Sequence, residues 1–530
     1  MNVQTNKLNR NTFGRTAALA LSVALGVSAQ AFNQYQVVDL GLLSGGSFSK
    51  ATGVNDKGNV VGYADNNQGR WRGFYWNGSS MTTINPDASG DNGAGMQALN
   101  SVCMGINNDN VVVGYRDRYY SLHSENKDRA FKWEPAAGGS IVNISNFAAD
   151  FAFNSRAYDI NEFDTVTGHA TGKNGSTAWQ PFRYTTNAGT TWTGSLTGSI
   201  LDNCYAFGIN ESAQLAGYGE NALNENIAYR FVFPNFIQLG KFPNPLIFEP
   251  PFETFGSDLN DAGTVSGYYK VDFNTFRAFK RTSSGSYEDL GLLPGSDQAD
   301  DSAMAAAINN NGDVVGDVEV GNTFHRAFLY MNNGRSMIDL NTMIPANSGW
   351  TLEFATDISD KGHIVGYGKK SGVTKAFLLK PTVIVSGTIS LQDWTQSLAG
   401  RQVAIQVIDA ATNSYDETNI VTLNAAGQYS FQTTRTGMKY LKVAHSHWLI
   451  KHSPTMNFTS NFSNVNFSLV NGDIDSDNEV GIGDYAMLSA AYNTVPGDLA
   501  WLPNADLNGD DAVDIGDYAI LSANYGMNGD

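Results

Sequence analysis

Short runs of β-branched and other apolar residues alternate with polar turns along residues 51–367, in a pattern that repeats seven times. Each copy approximates Ile-Asn-x-x-Gly-x-Val-Val-Gly, in which two apolar runs flank a polar turn. This pattern predicts two short antiparallel strands joined by a tight turn. The copies are Val54–Gly62, Ile106–Gly114, Ile160–Gly168, Ile209–Gly217, Leu259–Gly267, Ile308–Gly316 and Ile358–Gly366.

An aromatic strand follows each hairpin and keeps the same period. The final glycines of the hairpins are 52, 54, 49, 50, 49 and 50 residues apart, and the phenylalanines of the next strands are 57, 51, 49, 48, 49 and 49 apart. Several copies add a fourth strand containing Asp-Leu, as at Asp289–Gly291 and Asp339–Leu340. Four short strands in about 50 residues match one propeller blade. The sequence therefore predicts a mainly β protein with a seven-bladed β-propeller.

The turn of each hairpin begins with a side chain that can bond to the backbone two residues further on. This residue is Asn in six copies and Ser359 in the last. Four residues before the final glycine stand Gly58, Asn110, Asp164, Ala213, Gly263, Gly312 and Gly362. Gly, Asn and Asp tolerate a left-handed backbone conformation. The sequence offers no account of Ala213.

The two ends of the repeat array complement each other. The last copy lacks a fourth strand because Phe377 is followed closely by Lys380 and Pro381, and a suitable strand, Val37–Leu42, precedes the first copy. If that strand completes the last unit, the ring closes and its exposed edges disappear. An open β-solenoid is the alternative, but it gives no reason for the ends to match.

The hairpin followed by an Ala-Phe-Leu-Trp-like strand resembles the HAF family of extracellular repeats. The match is good at Ala307–Gly316 with Arg326–Tyr330, and weak around Tyr158–Gly168. The resemblance extends over most of residues 32–382. It implies an exported repeat domain and says little about ligands.

The period stops at Val383, and alternating runs separated by turns continue to about residue 470. They predict a β-sandwich, similar to Ig-like or prealbumin-like modules, that acts as a spacer. His445 and His447 would share one face of a strand there, with His452 close by in sequence. A metal site would need further ligands that the sequence does not indicate, so we expect exposed or hydrogen-bonded histidines.

Two acidic loops in the last 60 residues each precede an apolar helical stretch, Tyr485–Tyr492 and Tyr518–Tyr525. Oxygen ligands at loop positions 1, 3, 5 and 12, with the backbone carbonyl at position 7, suit Ca²⁺, which takes six to eight oxygens. The predicted ligands are Asp473, Asp475, Asp477, the carbonyl of Glu479 and Asp484 in the first loop, and Asp506, Asn508, Asp510, the carbonyl of Ala512 and Asp517 in the second. We therefore predict two calcium ions.

A duplicated loop and helix, with Asp at position 12 and no entering helix, resembles a type I dockerin domain over Gly472–Gly526. The resemblance implies a cohesin-like partner. It also implies that the partner contacts Ile482 with Gly483 and Ile515 with Gly516, and the near identity of these pairs suggests two interchangeable docking faces. Apolar Ile-Gly departs from the hydroxyl pairs of well-known dockerins, which leaves the identity of the partner open.

The two loops also depart from the usual pattern in ways that distinguish them. Position 6, normally Gly, is Asn478 in one loop and Asp511 in the other, and both residues can adopt the left-handed conformation. Position 9 is Gly481 in the first loop, so a water must serve there, whereas Asp514 can help in the second. We predict that the second site binds calcium more tightly, and that the module is largely unfolded without calcium.

The N-terminus carries basic residues, then the apolar stretch Thr16–Val27, then small residues up to Ala31. This order predicts a secretory signal peptide over residues 1–31 and a mature chain without a transmembrane anchor. A buried N-terminal helix is the alternative. Cys103 and Cys204 fall at different positions of different repeats, so we expect two unpaired thiols rather than a disulfide.

Cleavage after Ala31 would leave 30 basic and 51 acidic residues, which argues against nucleic acid as a partner. Residues 471–530 contain twelve acidic residues and no Lys or Arg. The predicted organisation is a signal peptide at 1–31, the propeller at 32–382, the sandwich at 383–470 and the dockerin-like domain at 471–530.

These features support three hypotheses of function. The first is a secreted or cell-surface binding protein that docks through the dockerin-like domain and presents the propeller to a polysaccharide or protein. The second is a polysaccharide-degrading hydrolase or lyase, although Asp159, Glu162, Asp258 and Asp261 are interpreted as turn residues rather than catalytic acids. The third is a structural envelope repeat protein.

Overall fold

The computed structural model describes residues 35–84, 98–120, 125–135, 139–144, 154–172, 175–199, 201–242, 253–272, 274–297, 300–321, 323–332, 336–458 and 461–530. The predicted signal peptide, residues 1–31, lies outside the described residues. The described chain is mainly β. It contains no helix that is both long and apolar enough to cross a bilayer.

Residues 35–381 form seven four-stranded antiparallel sheets within the described part of the chain. In chain order the strands are β1 (Tyr35–Asp39), β2 (Ser49–Val54), β3 (Val60–Asp65), β4 (Trp71–Trp76), β5 (Met81–Ile84), β6 (Ala98–Ile106), β7 (Val112–Tyr120), β8 (Glu125–Glu134), β9 (Ser140–Asn143), β10 (Ser155–Ile160), β11 (Val166–Ala170), β12 (Gln180–Thr185), β13 (Gly189–Trp192), β14 (Cys204–Ile209), β15 (Leu215–Glu220), β16 (Asn226–Val232), β17 (Asn235–Gln238), β18 (Thr254–Leu259), β19 (Val265–Asp272), β20 (Thr275–Arg281), β21 (Tyr287–Asp289), β22 (Ser302–Ile308), β23 (Val314–Val320), β24 (Phe324–Met331), β25 (Ser336–Asp339), β26 (Trp350–Ile358), β27 (Ile364–Lys370) and β28 (Val373–Pro381). Six sheets use four consecutive strands, and the seventh has the order β1-β28-β27-β26.

The first strands of the hairpins contact one another in a closed cycle. Strands β2, β6, β10, β14, β18, β22 and β26 each contact the next, and β26 contacts β2. Strand β1 pairs with β28 from Tyr35↔Pro381 to Asp39↔Phe377, which is the complementation expected for the ends of the array. We call these seven sheets the sheet ring. Lys370 and Lys375 hold the Asp39 carboxylate at this junction, at 3.1 and 3.0 Å.

The repeated Asn of each turn links neighbouring sheets. Six asparagines, from Asn55 to Asn309, each donate a side-chain N–H to the backbone carbonyl of the equivalent residue in the next sheet, at 2.9–3.3 Å. The Oδ1 atom of the same side chain accepts the backbone N–H four residues further on, as from Thr264 to Asn260 at 3.0 Å. One side chain thus accepts a backbone N–H group within its own turn and links two neighbouring sheets.

The final glycine of the repeat allows the first two strands and the phenylalanine to pack closely. A Cβ atom on Gly62 would lie 2.1 Å from the carbonyl oxygen of Lys50 and 2.8 Å from the Phe74 ring. The seven phenylalanines marked by the repeat are all fully buried, namely Phe74, Phe131, Phe182, Phe231, Phe279, Phe328 and Phe377. The hairpin glycine and the aromatic strand therefore form one packing unit.

All seven turn residues two before the second hairpin strand have positive φ, including Ala213 at 54°. Cys103 and Cys204 are both buried and unpaired, in different sheets. The thiols therefore make no covalent contribution to the sheet ring.

Two further sheets enclose one core after residue 382. Their strands are β29 (Val383–Leu391), β30 (Gln402–Asp409), β31 (Tyr415–Thr422), β32 (Gln428–Thr433), β33 (Met438–His445), β34 (Trp448–His452), β35 (Met456–Asn457) and β36 (Phe467–Leu469). One sheet has the order β32-β29-β36, in which β29 and β36 are parallel. The other has the order β31-β30-β33-β34, with β35 paired to β33. We call this unit the sandwich.

The terminal module, residues 471–530, contains helices α1 (Ile482–Ala491) and α2 (Ile515–Asn524). Both helices begin three residues before the predicted helical stretches. Buried residues at matching positions of the two halves share one core: Ile474 with Leu507, Val480 with Val513 and Leu488 with Leu521. Leu449 of the sandwich joins the same core.

Candidate metal centre

Asp484 and Asp517 occupy the third position of α1 and α2 and organise the loops that precede them. Each is almost fully buried. Asp484 accepts the backbone N–H groups of Ile474 at 2.6 Å, Asp475 at 3.1 Å and Gly481 at 2.7 Å. Asp517 accepts three equivalent N–H groups at 2.7–3.2 Å. Each carboxylate therefore ties the start of its loop to the start of its helix, a capping role that explains the earlier helix starts.

Three carboxylates converge in the first loop. One oxygen each of Asp473, Asp475 and Asp484 lies within 4.8 Å of the others. Asp473 is buried, and its Oδ1 atom has no hydrogen-bond partner. Burial, reinforced by the neighbouring carboxylates, raises the pKa of Asp473 to about 6. An unpartnered buried oxygen beside two other carboxylates is a site that a hard cation would complete.

Two predicted ligands of the first loop lie next to this cluster rather than within it. Asp477 is exposed, and its Oδ1 accepts the backbone N–H of Glu479 at 3.0 Å. Glu479 forms an isolated bridge with Asn528. The left-handed conformation predicted for Asn478 is present, with φ of 71°. Ser476 also has positive φ, at 64°, where the second loop has Gly509.

The second loop has the same backbone arrangement with fewer charges. Asp506 is buried and accepts N–H groups from Gly509, Asp510 and Asp511 at 2.9–3.2 Å. Asn508 accepts the N–H of Asp510 at 2.8 Å through Oδ1 and donates to its carboxylate at 3.0 Å through Nδ2. Burial is the main cause of the raised pKa of Asp506.

Three other predicted positions of the second loop have distinct surroundings. Asp511 has positive φ, at 65°. Asp514, proposed from the sequence to assist the second ion, accepts the N–H of Gly516 at 2.7 Å as the helix N-cap. Ala512 donates its N–H to Asp510 Oδ1 at 3.0 Å. The amide of Asn508 in place of a carboxylate leaves the second loop with one ligand charge fewer than the first.

The predicted partner residues lie in the first turn of each helix. Ile482 and Ile515 are exposed, at 76% and 66% of their surface. Packing within the module also explains why position 483 is glycine, because a Cβ atom there would lie 2.2 Å from Asp475 Oδ2. Gly516 is less crowded, with Asn508 Nδ2 at 3.1 Å from such a Cβ. The Gly of each Ile-Gly pair thus permits the loop side chain to approach the helix.

The sandwich contacts the second loop directly, which the sequence did not predict. Thr395 donates its backbone N–H and hydroxyl to the carbonyl of Asn508 at 3.0 and 2.8 Å. Gln396 donates to the carbonyl of Gly509. The Trp394 ring packs over Gly509, whose added Cβ would lie 2.3 Å from it. The sandwich is therefore more than a spacer, since it supports the second loop and contacts the first as well.

The histidines of the sandwich are packed rather than grouped as ligands. His445 stacks on Trp448 at 5.3 Å, and His447 Nδ1 contacts the Ser446 hydroxyl at 3.1 Å. His452 packs against Tyr440 at 5.1 Å. Within the described ranges, the candidate metal group contains the three aspartates of the first loop and no histidine. The backbone carbonyl of His447 accepts the N–H groups of Gly472 and Asp473, which joins the sandwich to the first loop.

The sequence interpretation of two ring acids is wrong. Asp159 and Asp258 lie in strands β10 and β18, two residues before the repeated Asn, rather than in the turns. They bond to the neighbouring sheet, a role that depends on tertiary contacts and not on local turn chemistry. Glu162 and Asp261 do lie in turns, as predicted.

A family model described as "Protein of unknown function (DUF3466)" matches residues 149–438, which is more than half of the chain. The chain belongs to the DUF3466 family. The DUF3466 match begins before β10 and ends within the sandwich, so it includes neither the first two sheets nor the terminal module. No curated protein matches this DUF3466 chain.

Several solved structures resemble parts of this DUF3466 protein. One chain of a type II cohesin–X–dockerin complex mutant from Acetivibrio cellulolyticus is 18% identical, over 28% of this chain and 97% of that chain, with a TM-score of 0.24. Puromycin hydrolase is 11% identical, over 67% of this chain and 57% of that chain, with a TM-score of 0.40. AofleA from Arthrobotrys oligospora is 12% identical, over 58% and 90%, with a TM-score of 0.31. Similarities at this level decide nothing about function.

Proposed function

We propose that this chain is an exported binding protein, in which a seven-bladed HAF-type β-propeller is anchored through a calcium-dependent, dockerin-like module to a cohesin-like partner. The observation that carries the proposal is the first acidic loop, where Asp473, Asp475 and Asp484 converge and Asp473 Oδ1 has no partner. The donors are oxygens only, the set that Ca²⁺ prefers over softer metals. Calcium would neutralise carboxylates that otherwise repel one another.

The two-fold repetition of the terminal module supports two ions and two docking faces. Val480 of the first loop exchanges backbone hydrogen bonds with the segment after α2, at 2.8 Å to both Met527 and Gly526. Val513 of the second loop bonds in the same way to Asn493 and Thr494 after α1. Each loop therefore depends on the helix of the other half. We propose that calcium at both loops, held by the predicted ligands, orders this pair of helices for docking.

Exposed apolar side chains favour a protein partner for the helices. Ile482 and Ile515 project from equivalent first turns, and Tyr485 lies at 5.3 Å from Tyr518 and 5.5 Å from Tyr525 between the helices. Tyrosine is among the residues that contribute most to the binding energy of protein interfaces. Partner recognition by either Ile-Gly pair is thus part of the proposal.

The propeller is the proposed ligand-presenting domain, and Trp71 supports polysaccharide as one ligand. This side chain is 44% exposed, and Tyr63 and Phe48 lie beside it at 5.3 and 6.2 Å. Trp76 and Trp133, by contrast, are buried in the sheets. An exposed aromatic group offers an apolar face to a sugar ring while its neighbours keep it rigid.

The calcium proposal is tested by chelation of the full chain. We expect EGTA to make residues 471–530 susceptible to a protease and to abolish binding to type I or type II cohesin modules, with recovery on adding calcium. Asp484→Asn should reproduce the effect of EGTA. The matched control is Asp498→Asn, because Asp498 is an exposed acid of the same module outside both loops. Unchanged protease resistance and unchanged cohesin binding in EGTA would refute the proposal.

The docking proposal is tested with Ile482→Arg, Ile515→Arg and the double variant. If the two faces are interchangeable, each single variant should lose only a few-fold in affinity for a cohesin module, whereas the double variant should lose at least about a hundredfold. A complete loss from one single variant would show that one face alone binds.

A further inference from the structure

The closed cycle of first strands surrounds a cavity of about 360 Å³. One side of its wall is aromatic and is lined by Tyr158, Phe207, Tyr218 and Tyr268. The other side has small side chains, namely those of Thr52, Ala306 and Thr356. The volume lies within the usual range of small-molecule sites. The cavity is therefore large enough for an organic ligand rather than a single ion.

The aromatic side chains form a continuous arc across three sheets. Phe207 lies 5.0 Å from Tyr158 and 5.7 Å from Tyr218, measured between ring centroids. Phe255 connects Tyr218 to Tyr268, with 5.0 Å to each ring. If the repeat alone required an aromatic group at these positions, all seven sheets would carry one. Tyr158 and Phe207 correspond instead to Thr52, Ala306 and Thr356 in other sheets, so these two aromatic side chains are a local departure from the repeat.

Three carboxylates line the same cavity, contributed by the third, fifth and seventh sheets. Asp159 accepts the N–H groups of Ile160 and Ile209 at 2.8 and 2.9 Å. Asp258 does the same for Leu259 and Ile308 at 2.7 and 3.0 Å, and Asp357 for Ile358 and Val54 at 2.8 Å each. Each therefore has a fixed orientation and bridges two sheets.

These aspartates make the interior of the cavity strongly acidic. Burial raises the pKa of Asp159 to about 7 and that of Asp357 to about 6, and burial together with the nearby Asp159 raises the pKa of Asp258. Asp357 also raises the pKa of Asp159, and Asp159 and Asp357 both raise the pKa of Asp258, so these carboxylates repel one another when ionised. A positive charge among them would remove that repulsion.

The entrance on the side of the repeated turns is acidic as well. Asp56, Glu162, Glu211, Asp261 and Asp360 surround it, with Asn108 and Asn310 at the two remaining turns. Among the described residues that line the cavity and this entrance, none is Lys or Arg. Lys57, on the rim, donates to the carbonyl of Asn108 instead. Clefts lined by one sign of charge attract ligands of the opposite sign.

Two basic residues, Arg156 and Lys50, stand two residues before Tyr158 and Thr52, towards the end of the sheet ring that lies away from the repeated turns. Arg156 is paired with Asp128 at 2.6 Å, and Lys50 lies over the Tyr367 ring at 4.2 Å. Neither side chain is part of the cavity wall, and Asp128 offsets the charge of Arg156, so the charges that face the cavity are those of the aspartates. A cationic group is therefore favoured near the aspartates.

We propose that the central cavity of the sheet ring binds an organic cation, with its ammonium group between the three aspartates and the arc formed by Tyr158, Phe207, Tyr218 and Tyr268. Aromatic faces attract alkylated ammonium groups through their quadrupoles, most strongly when water is excluded. Ca²⁺ takes six to eight oxygen ligands, and a wall that is largely aromatic on one side offers few of them. The site is distinct from the calcium loops and does not depend on the proposed docking function.

The proposal is tested by calorimetry on the full chain at pH 8, with choline as the cation and 3,3-dimethylbutan-1-ol as its uncharged isostere. We expect choline to bind at one site per chain and the isostere to bind at least about tenfold more weakly. Asp258→Asn should weaken choline at least about tenfold, and Tyr268→Leu about fivefold. Asp300→Asn is the control, because Asp300 lies on an exposed turn of the same ring.

Each alternative outcome decides against the site. Equal affinity for choline and the isostere would mean an uncharged ligand. Displacement of choline by CaCl₂, lost in Asp258→Asn, would mean a metal site. If calorimetry detects no heat of binding with choline, tetramethylammonium or putrescine, the cavity does not bind organic cations and the proposal is wrong.

Two controls separate this test from the others. If Asp258→Asn fails to fold, Tyr268→Leu and Tyr218→Leu carry the test, because neither tyrosine bridges two sheets through the backbone. EGTA should leave choline binding unchanged, since the cavity is formed by the sheet ring alone. Failure here therefore leaves the calcium proposal intact, and failure of the calcium proposal leaves this one intact.

Discussion

The sheet ring and the terminal module both bury aspartates, but they organise them differently. In the ring, Asp159, Asp258 and Asp357 come from three separate sheets, and each accepts two backbone N–H groups. In the module, the carboxylates of one loop converge, and Asp484 accepts three. The ring carboxylates bridge a structure that other contacts already close. The module carboxylates leave Asp473 Oδ1 without a hydrogen-bond partner, and this is where we propose that calcium binds.

The largest expected effects come from removing the aspartate that organises each loop. Asp484→Ala and Asp517→Ala each leave three N–H groups without an acceptor and remove one calcium ligand, so each should cost at least about 3 kcal/mol of unfolding free energy. Because the second site is predicted to bind more tightly, Asp517→Ala should be the more harmful. Calorimetric calcium titration and thermal unfolding of both variants measure the ranking, with Asp498→Ala as control. A greater loss from Asp484→Ala would reverse it.

The pH dependence of stability should distinguish the ring from the calcium-bound module. The folded ring raises the pKa of Asp159 to about 7 and of Asp357 to about 6, so between these values and the unfolded pKa near 4 the folded state binds more protons. Its stability is therefore full below about pH 4 and declines as the pH rises through 6 to 7. The module should show the opposite trend in calcium, because the ion binds only ionised carboxylates.

Scanning calorimetry in calcium between pH 4.5 and 8 checks this contrast. We expect the transition of the ring to fall by several degrees over that range, and Asp357→Asn to flatten the slope. Asp109→Asn, on an exposed turn, should leave the slope unchanged. A ring transition that rises with pH would contradict the raised pKa values.

The same contrast explains which features could be predicted from the sequence. The predicted loop ligands are close in the chain, so their spacing alone predicted that Asp473, Asp475 and Asp484 would converge, as they do. The repeat likewise identified the buried phenylalanines and the turn asparagines, because each recurs at a constant interval. The ring carboxylates meet only when distant sheets close, so Asp159 and Asp258 were assigned to turns.

Contacts between domains could not be predicted from the sequence either. Trp394 and Gly509 meet across more than a hundred residues, and neither belongs to a repeated pattern. Trp394 lies in a turn of the sandwich, and Gly509 is an ordinary loop glycine until the two surfaces dock. Only the tertiary structure relates the second loop to the sandwich.

A substitution with a smaller expected effect on stability, Gly509→Ala, tests the contact between Trp394 and the second loop. Gly509→Ala would place a Cβ atom 2.3 Å from Trp394, whereas Gly497→Ala, also at positive φ, meets nothing within 4 Å. Both substitutions introduce backbone strain, so the difference between them measures the sandwich contact. We expect Gly509→Ala to cost about 1 to 3 kcal/mol more, and to weaken calcium at the second site rather than the first. Equal costs in thermal unfolding would mean that the sandwich does not support the loop.

The smallest predicted effect is a gain in stability, at Ala213, a position of the sheet ring that departs from the repeat. Ala213 adopts φ of 54° in the turn where other sheets have Gly, Asn or Asp. A left-handed alanine costs about 1 to 2 kcal/mol, but replacing it by glycine also increases the entropy of the unfolded chain. Ala213→Gly should therefore stabilise the ring by only about 0.5 kcal/mol. Ala216→Gly, a buried strand residue in the same sheet, should instead destabilise it, so opposite shifts in melting temperature would attribute the gain to the turn. A loss of stability in Ala213→Gly would mean that packing of the methyl group against the core of its sheet outweighs the backbone strain.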